Sequence, residues 1–222
     1  MVVKMQIEAV IFDMDGTLFD TEKVSQDCFL KVAREIGYPH MEEISLDCIG
    51  LSRGDILSLL QNRLGKSFPA EEYLQMTSRR MKETMEKDGP PIMDGAVNLL
   101  NFLKEKGMKM GLASSSRIDT IKSHLERTNL TSYFSIYIGG DMVEYSKPKP
   151  HIYWKACEEL RVAPENSFAI EDSPNGVRSA FQAGLKTIMV PNMIKPAKEV
   201  EDMLFKKCSS LEEVQNYFEK IL

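Results

Sequence analysis

Residues 9–17 of the chain read AVIFDMDGT, an apolar run that passes directly into two aspartates. Four apolar residues without polar alternation are typical of a strand that is buried on both faces of a parallel sheet. Gly16 allows the chain to turn, so Asp13 and Asp15 fall where the strand ends. This stretch therefore predicts a central strand with two carboxylates at its carboxyl end.

Similar apolar runs recur along the chain, separated by segments with helical periodicity. The later predicted strands are 108–113, 136–138, 168–170 and 187–190, and the predicted helices between them are 94–106, 118–128, 152–160 and 175–183. This alternation indicates right-handed crossovers, and so predicts an α/β fold with a doubly wound parallel sheet covered by helices on both faces. Ligands of such sheets bind at the carboxyl ends of the strands.

The interval between the first two predicted strands breaks the alternation. Its helical patterns cover 24–36, 53–64 and 71–87, and it contains no convincing strand. A turn-forming cluster that begins at Asp88 marks its far boundary. We therefore predict two domains, an α/β core made of residues 1–20 and 88–222 and a helical domain, 21–87, inserted after the first strand.

The composition excludes several classes of protein. Of the 222 residues, 43% are hydrophobic and 27% are charged, which suits a soluble globular protein and excludes a disordered or fibrous one. The apolar runs are far shorter than the roughly 18 residues of a membrane span, and no export signal is visible, so we expect a cytoplasmic protein without a membrane partner. The net charge of -5 gives no reason to expect a nucleic-acid polymer. The cysteines and histidines show no zinc-ligand spacing.

Further polar residues adjoin the ends of the predicted strands. Ser114 follows the second strand, the pair Glu171 and Asp172 follows the fourth, and Lys147 stands in an SKP segment ahead of a helix. Like charges about 4 Å apart repel by roughly 4 kcal/mol at an effective dielectric near 20, so one lysine cannot hold several converging carboxylates. Because Mg²⁺ prefers oxygen ligands and leaves room for a phosphate, these residues predict a site for Mg²⁺ and phosphate.

Each signal also has a plainer explanation. Paired aspartates in a turn are often solvated, Ser114 can cap the helix that follows it, and Lys147 can be an exposed lysine beside prolines. Their joint occurrence favours a single phosphate site. In such a site a carboxylate can attack phosphorus, provided that a metal ion and a lysine neutralise the charges.

As a set, the motifs resemble those of the haloacid dehalogenase superfamily of phosphatases. They are DxDGT at 13–17, the strand-ending Ser114, the SKP lysine Lys147 and EDSxxG at 171–176. The resemblance runs from Glu8 to at least Pro191 and implies a Rossmann-like core. The insert is similar to the helical cap of the β-phosphoglucomutase-like branch.

The resemblance implies catalytic roles for four residues. Asp13 would be the nucleophile, and the Asp15 carboxyl would protonate the leaving oxygen and then activate water. Ser114 would donate a hydrogen bond to a phosphoryl oxygen, and Lys147 would pair with both the phosphate and Asp13.

The resemblance also implies the binding residues. The Mg²⁺ ligands would be Asp13, the backbone carbonyl of Asp15, Asp172 and the supporting Glu171. Ser115, Glu22 and Arg53 are the candidates for substrate binding. Arg53 is explained equally well as a residue that caps or solvates the helix beginning near Gly54.

The implied protein is a monomeric Mg²⁺-dependent phosphatase of small phosphorylated metabolites, either sugar phosphates or nucleoside monophosphates. Asp15 argues against carbon–halogen chemistry, because dehalogenases proper lack the second aspartate. The main alternative is a phosphohexomutase of the β-phosphoglucomutase type, but such mutases place a histidine where this chain has Ser25 and tend to have valine at Thr17. A third alternative is a non-catalytic binding or regulatory protein on the same fold.

Overall fold

The computed structural model describes residues 6–49, 51, 53–192 and 196–222. The chain divides into two compact units, which we call the α/β unit and the helical unit. The α/β unit comprises the chain up to Asp20 together with Pro91–Leu222, and the helical unit comprises Thr21–Pro90. The helical unit continues past the predicted residue 87, because its last helix runs to Asp88 and Gly89 then turns the chain with a positive φ.

Six parallel strands form the sheet of the α/β unit. They are β1 (Ala9–Phe12), β2 (Lys109–Ser114), β3 (Ile136–Gly139), β4 (Ser167–Glu171), β5 (Lys186–Met189) and β6 (Lys206–Lys207). Their spatial order is β3-β2-β1-β4-β5-β6, and every pairing is parallel. The strand order therefore reverses between β1 and β4, the point at which such sheets bind ligands. The doubly wound α/β prediction is confirmed, whereas β6 was not predicted.

The apolar run of β1 is explained by its place in the sheet. Successive side chains of a strand point to opposite faces. Val10 and Phe12 belong to the core cluster on one face, and Ala9 and Ile11 belong to the cluster on the other. None of these four residues is exposed. Since β2 and β4 cover both edges of β1, no position of the strand faces water.

The helical unit has a core of its own. Its helices are α1 (Thr21–Glu35), α2 (Glu42–Asp47), α3 (Arg53–Leu64) and α4 (Ala70–Asp88). The Tyr73 ring of α4 meets Phe29 of α1 at 4.9 Å between ring centroids, and its hydroxyl donates to the Phe29 carbonyl at 2.6 Å. The short α2 was not predicted. No helix of the described residues is long and apolar enough to cross a bilayer.

The remaining helices cover both faces of the sheet. They are α5 (Ala96–Glu105), α6 (Ile118–Arg127), α7 (His151–Leu160), α8 (Pro174–Ala183), α9 (Lys198–Glu201) and α10 (Leu211–Ile221). Apolar residues of α5, α6 and α10 join the cluster around Phe12, and those of α7 and α8 join the cluster around Ile11. The final helix, α10, was not predicted.

We expect the Leu103→Ala substitution to lower the free energy of unfolding by about 2–5 kcal/mol, because Leu103 is fully buried in the cluster around Phe12 and its truncation leaves a cavity. Urea denaturation would measure the change. The matched control is Asn98→Ala on the exposed face of α5, which should stay within about 0.5 kcal/mol of the wild type. Equal effects of the two substitutions would contradict the assigned core.

Candidate active site

The carboxyl ends of β1 and β4 lie side by side, and their register decides which side chains meet. Phe12 is paired with Ile170, and the Asp13 amide continues the ladder by donating to the Ile170 carbonyl at 2.9 Å. Asp13 is therefore the neighbour of Glu171 across the strand ends. Only 7% of Asp13 and none of Glu171 is exposed. The sheet thus buries two carboxylates next to each other.

Asp172 completes a cluster of three carboxylates. One oxygen from each of Asp13, Glu171 and Asp172 lies within 4.8 Å of the others. Burial raises the pKa of Asp13 to about 8, against the opposing charge of Lys147. Burial, followed by the charge of Asp13, raises the pKa of Asp172 to about 9. Both pKa shifts arise because it costs free energy to remove a negatively charged carboxylate from water. A hard divalent cation held by these oxygens would offset that cost. The residues therefore fit such a cation.

Lys147 is the one cation that the described residues place inside this cluster. Its side chain is 5% exposed. The ammonium donates to Asp13 Oδ1 at 2.5 Å, to Glu171 Oε1 at 2.6 Å and to the Ala113 carbonyl at 2.9 Å. An ammonium has three donors, so each has an acceptor. Burial alone would lower the pKa of Lys147, but the charges of Asp13 and Glu171 outweigh burial and raise it. The lysine therefore remains an ammonium.

The Glu171 carboxylate has donors on both oxygens. In addition to Lys147, the Tyr153 hydroxyl donates to Oε1 at 2.7 Å, and the Ser173 hydroxyl donates to Oε2 at 3.3 Å. Neither Tyr153 nor Ser173 was predicted as a site residue. Ser173 also accepts from the Gly176 amide at 3.1 Å as the N-cap of α8, so its sequence signals were its place in the EDSxxG motif and a capping pattern.

Two serines at the end of β2 bind the second aspartate of the first motif. Ser116 Oγ donates to Asp15 Oδ2 at 2.9 Å, and Ser114 Oγ lies 3.4 Å from the same oxygen. The Ser116 amide in turn donates to Ser114 Oγ at 3.0 Å. The structure therefore brings the predicted Ser114 and Asp15 together and adds Ser116, which the sequence analysis missed.

Two glycines leave the space that the carboxylates occupy. A Cβ atom on Gly16 would overlap the Asp172 carboxylate, and one on Gly176 would overlap the Glu171 carboxylate. Gly16 also has a φ of +82°, which disfavours other residues. The glycines of the DxDG and EDSxxG motifs are thus required by close approach to the acidic cluster.

The three predicted substrate-binding residues lie in different surroundings. Ser115 is exposed and accepts a hydrogen bond from Ser146 Oγ at 2.9 Å within the α/β unit. Glu22 and Arg53 line a cavity of about 380 Å³ inside the helical unit. Arg53 is paired with Glu71 at 2.7 Å. The role of these residues in substrate binding stays a prediction.

Comparison with known families identifies the fold that carries this site. The profile of the haloacid dehalogenase-like hydrolases matches residues 10–190. The chain belongs to this family. The match spans the acidic cluster, Lys147 and the whole helical unit, so the resemblance seen in the sequence motifs is confirmed.

Relatives of this haloacid dehalogenase-like hydrolase include enzymes named as phosphatases. The chain is 33% identical to a phosphorylated carbohydrates phosphatase of Thermotoga maritima, over 82% of this chain and 84% of that protein. It is 30% identical to hexitol phosphatase B of Escherichia coli K12, over 84% of each. A crystal structure of a candidate β-phosphoglucomutase from Thermotoga maritima has a TM-score of 0.83 at 30% identity, and covers 97% of this chain and 100% of that one.

The Gly16→Ala substitution adds a methyl group that displaces the Asp172 carboxylate. We therefore expect the variant to bind Mg²⁺ about tenfold more weakly than the wild type, as measured by calorimetric titration. Gly65→Ala is the matched control, since Gly65 has a φ of +90° and nothing within 4 Å of the added Cβ. Both variants should lose about 1 kcal/mol of unfolding free energy to backbone strain. Equal Mg²⁺ affinities in the two variants would show that the cluster does not hold the cation.

Proposed function

We propose that the chain is a Mg²⁺-dependent phosphatase that hydrolyses small phosphorylated metabolites, sugar phosphates or nucleoside monophosphates, through a phosphorylated Asp13. The observation that carries the proposal is the 2.5 Å contact between the Lys147 ammonium and Asp13 Oδ1, inside a cluster of carboxylates that fits a divalent cation. A carboxylate nucleophile for phosphorus needs both positive charges nearby. The names of the phosphatase relatives support the same class of substrate.

Bound Mg²⁺ would be held by Asp13, Asp172 and the backbone carbonyl of Asp15, with Glu171 in support, and would supply charge neutralisation of the phosphoryl oxygens. The chain's own residues would position the reacting groups and transfer the protons. The positive charge of Lys147 lies against Asp13, so the approach of the anionic nucleophile to an anionic phosphate is less repulsive. Ser114 turns its hydroxyl from Asp15 to the phosphoryl group.

Two displacements would then release phosphate. In the first, an Asp13 carboxylate oxygen bonds to phosphorus, the bond from phosphorus to the leaving oxygen breaks, and the Asp15 carboxyl gives that oxygen its proton. In the second, Asp15 takes a proton from water as the water oxygen bonds to phosphorus, and the Asp13–phosphorus bond breaks. The second step thus returns the proton to Asp15 and frees the Asp13 carboxylate for another cycle. The hydrogen bond from Ser116 keeps Asp15 at the end of β1 during both steps.

A phosphohexomutase is the second candidate, favoured by the structural likeness to the Thermotoga candidate β-phosphoglucomutase. A mutase must keep water away from its phosphorylated aspartate until the sugar is bound. The histidine implied for this task is replaced by Ser25, which carries no ring nitrogen for general acid–base work. We therefore favour hydrolysis.

We expect the Asp13→Asn substitution to lower the turnover of an aryl phosphate by at least about a thousandfold, because an amide does not attack phosphorus. The amide oxygen can still accept from Lys147, so the variant should remain folded. Asp119→Asn, at an exposed position in the first turn of α6, is the matched control and should keep turnover within about twofold. Turnover retained by the Asp13 variant would reject the nucleophile.

Incubation of the wild type with a sugar 1-phosphate and a trace of the sugar bisphosphate should yield inorganic phosphate and free sugar. The physical reason is that the position of the mutase histidine is held by Ser25, so water can reach the phosphorylated Asp13. Phosphate release and phosphorus NMR would follow both products in one reaction. Formation of the 6-phosphate isomer without free phosphate would instead establish a mutase.

A further inference from the structure

Tyr153 makes two contacts with the charged core of the site, and the proposed mechanism uses neither. The residue belongs to α7 and is fully buried. Its hydroxyl donates to Glu171 Oε1 at 2.7 Å, and the Lys147 ammonium lies 5.2 Å from the centre of its ring. One side chain thus touches both members of the Lys147–Glu171 ion pair.

The contact with Glu171 determines which way its carboxylate points. Glu171 Oε1 accepts from two groups at once, the Lys147 ammonium at 2.6 Å and the Tyr153 hydroxyl. A hydrogen bond to a buried carboxylate is among the stronger ones in proteins, because the low dielectric strengthens it and water cannot replace it. Without the hydroxyl, Oε1 would keep Lys147 as its only donor among the described residues, and apart from the lysine the carboxylate would be held only by the longer 3.3 Å contact between Ser173 and Oε2.

The orientation of Glu171 in turn fixes the ammonium. Lys147 reaches the site on a flexible four-carbon stem, and its position depends on its three acceptors at Asp13, Glu171 and the Ala113 carbonyl. The Ala113 carbonyl is fixed by the backbone of β2, whereas the Glu171 carboxylate is held by the hydroxyls that donate to it. A shift of about 1 Å in a charged group at a reaction centre is enough to slow a reaction by up to a hundredfold.

We propose that Tyr153 is a positioning residue for Lys147: its hydroxyl fixes the Glu171 carboxylate, which holds the ammonium against Asp13. The kinetic consequence rests on the proposed phosphatase function, whereas the contacts within the resting protein do not. The role belongs to the hydroxyl, since the ring packing would survive in a phenylalanine.

Kinetics of Tyr153→Phe test the first part of the proposal. We expect kcat for an aryl phosphate to fall about tenfold while KM stays within about twofold. A displaced ammonium weakens the stabilisation of charge in the transition state, whereas it leaves the binding of the substrate nearly unchanged. The matched control is Tyr73→Phe, which removes a hydroxyl from an equally buried tyrosine whose partner is the Phe29 carbonyl in the helical unit. Urea denaturation should show comparable stability losses for the two variants, and only Tyr153→Phe should lose kcat.

A double-mutant cycle separates positioning from general packing. If Tyr153 acts through Glu171, adding Tyr153→Phe to a Glu171→Gln protein should change kcat by less than about twofold, although each single substitution lowers it. Full additivity of the two losses would overturn the proposal.

The lysine itself provides a readout that needs neither turnover nor metal. The Lys147 ammonium resonance, identified by its disappearance in Lys147→Arg, can be followed by proton–nitrogen NMR at low temperature. We expect its protons to exchange with water about tenfold faster in Tyr153→Phe than in the wild type or Tyr73→Phe, since one acceptor is no longer held. Unchanged exchange would overturn the proposal, whatever the kinetics. A wild type without turnover would reject the phosphatase but would leave this exchange measurement to decide on Tyr153.

Discussion

Negative charge is concentrated where β1 and β4 end, and one ammonium is shared among the carboxylates. The structure tolerates this arrangement because Lys147 bridges Asp13 and Glu171 and because the Tyr153 and Ser173 hydroxyls donate to the Glu171 carboxylate. Buried ion pairs of this kind contribute little net stability, since the loss of hydration offsets most of the attraction. Burial raises the pKa values of Asp13 and Asp172, so the chain's own groups do not offset the whole free-energy cost of burying these negative charges. The cluster therefore fits the proposed binding of a cation and a phosphoryl group better than it fits a stabilising role.

The backbone holds these charges together. β1 lies between β2 and β4, so the groups at three strand ends face a common point, and the pairing of Phe12 with Ile170 sets Asp13 beside Glu171. Gly16 and Gly176 give the Asp172 and Glu171 carboxylates the space that any side chain would take. Glycine is thus required at these two motif positions by the close packing of the carboxylates, and at Gly16 also by the backbone conformation.

The parts of the fold that were predicted have strong local signals. The five longer strands contain short apolar runs that are largely buried, whereas β6 has two lysines and no such run. The final helix had a usable signal that was overlooked: Ser210 Oγ accepts from the Glu213 amide at 3.2 Å, as the S-x-x-E spacing predicts. In the site, Asp13 was recognisable from its motif. Tyr153 was not, because it stands in α7 among buried apolar residues and has the spacing of an ordinary core side chain.

Residue type alone does not assign the roles of Asp13, Asp15 and Glu171, whereas their hydrogen-bond donors distinguish them. Asp13 faces an ammonium, whose charge opposes the effect of burial on its pKa. Asp15 faces the neutral hydroxyls of Ser114 and Ser116 rather than an ammonium. Glu171 has donors on both oxygens, so it is the carboxylate least able to move toward a ligand. A carboxylate fixed in this way suits the support of Lys147 better than a direct part in bond making. The proposed roles therefore rest on hydrogen-bond partners that lie far apart in the sequence.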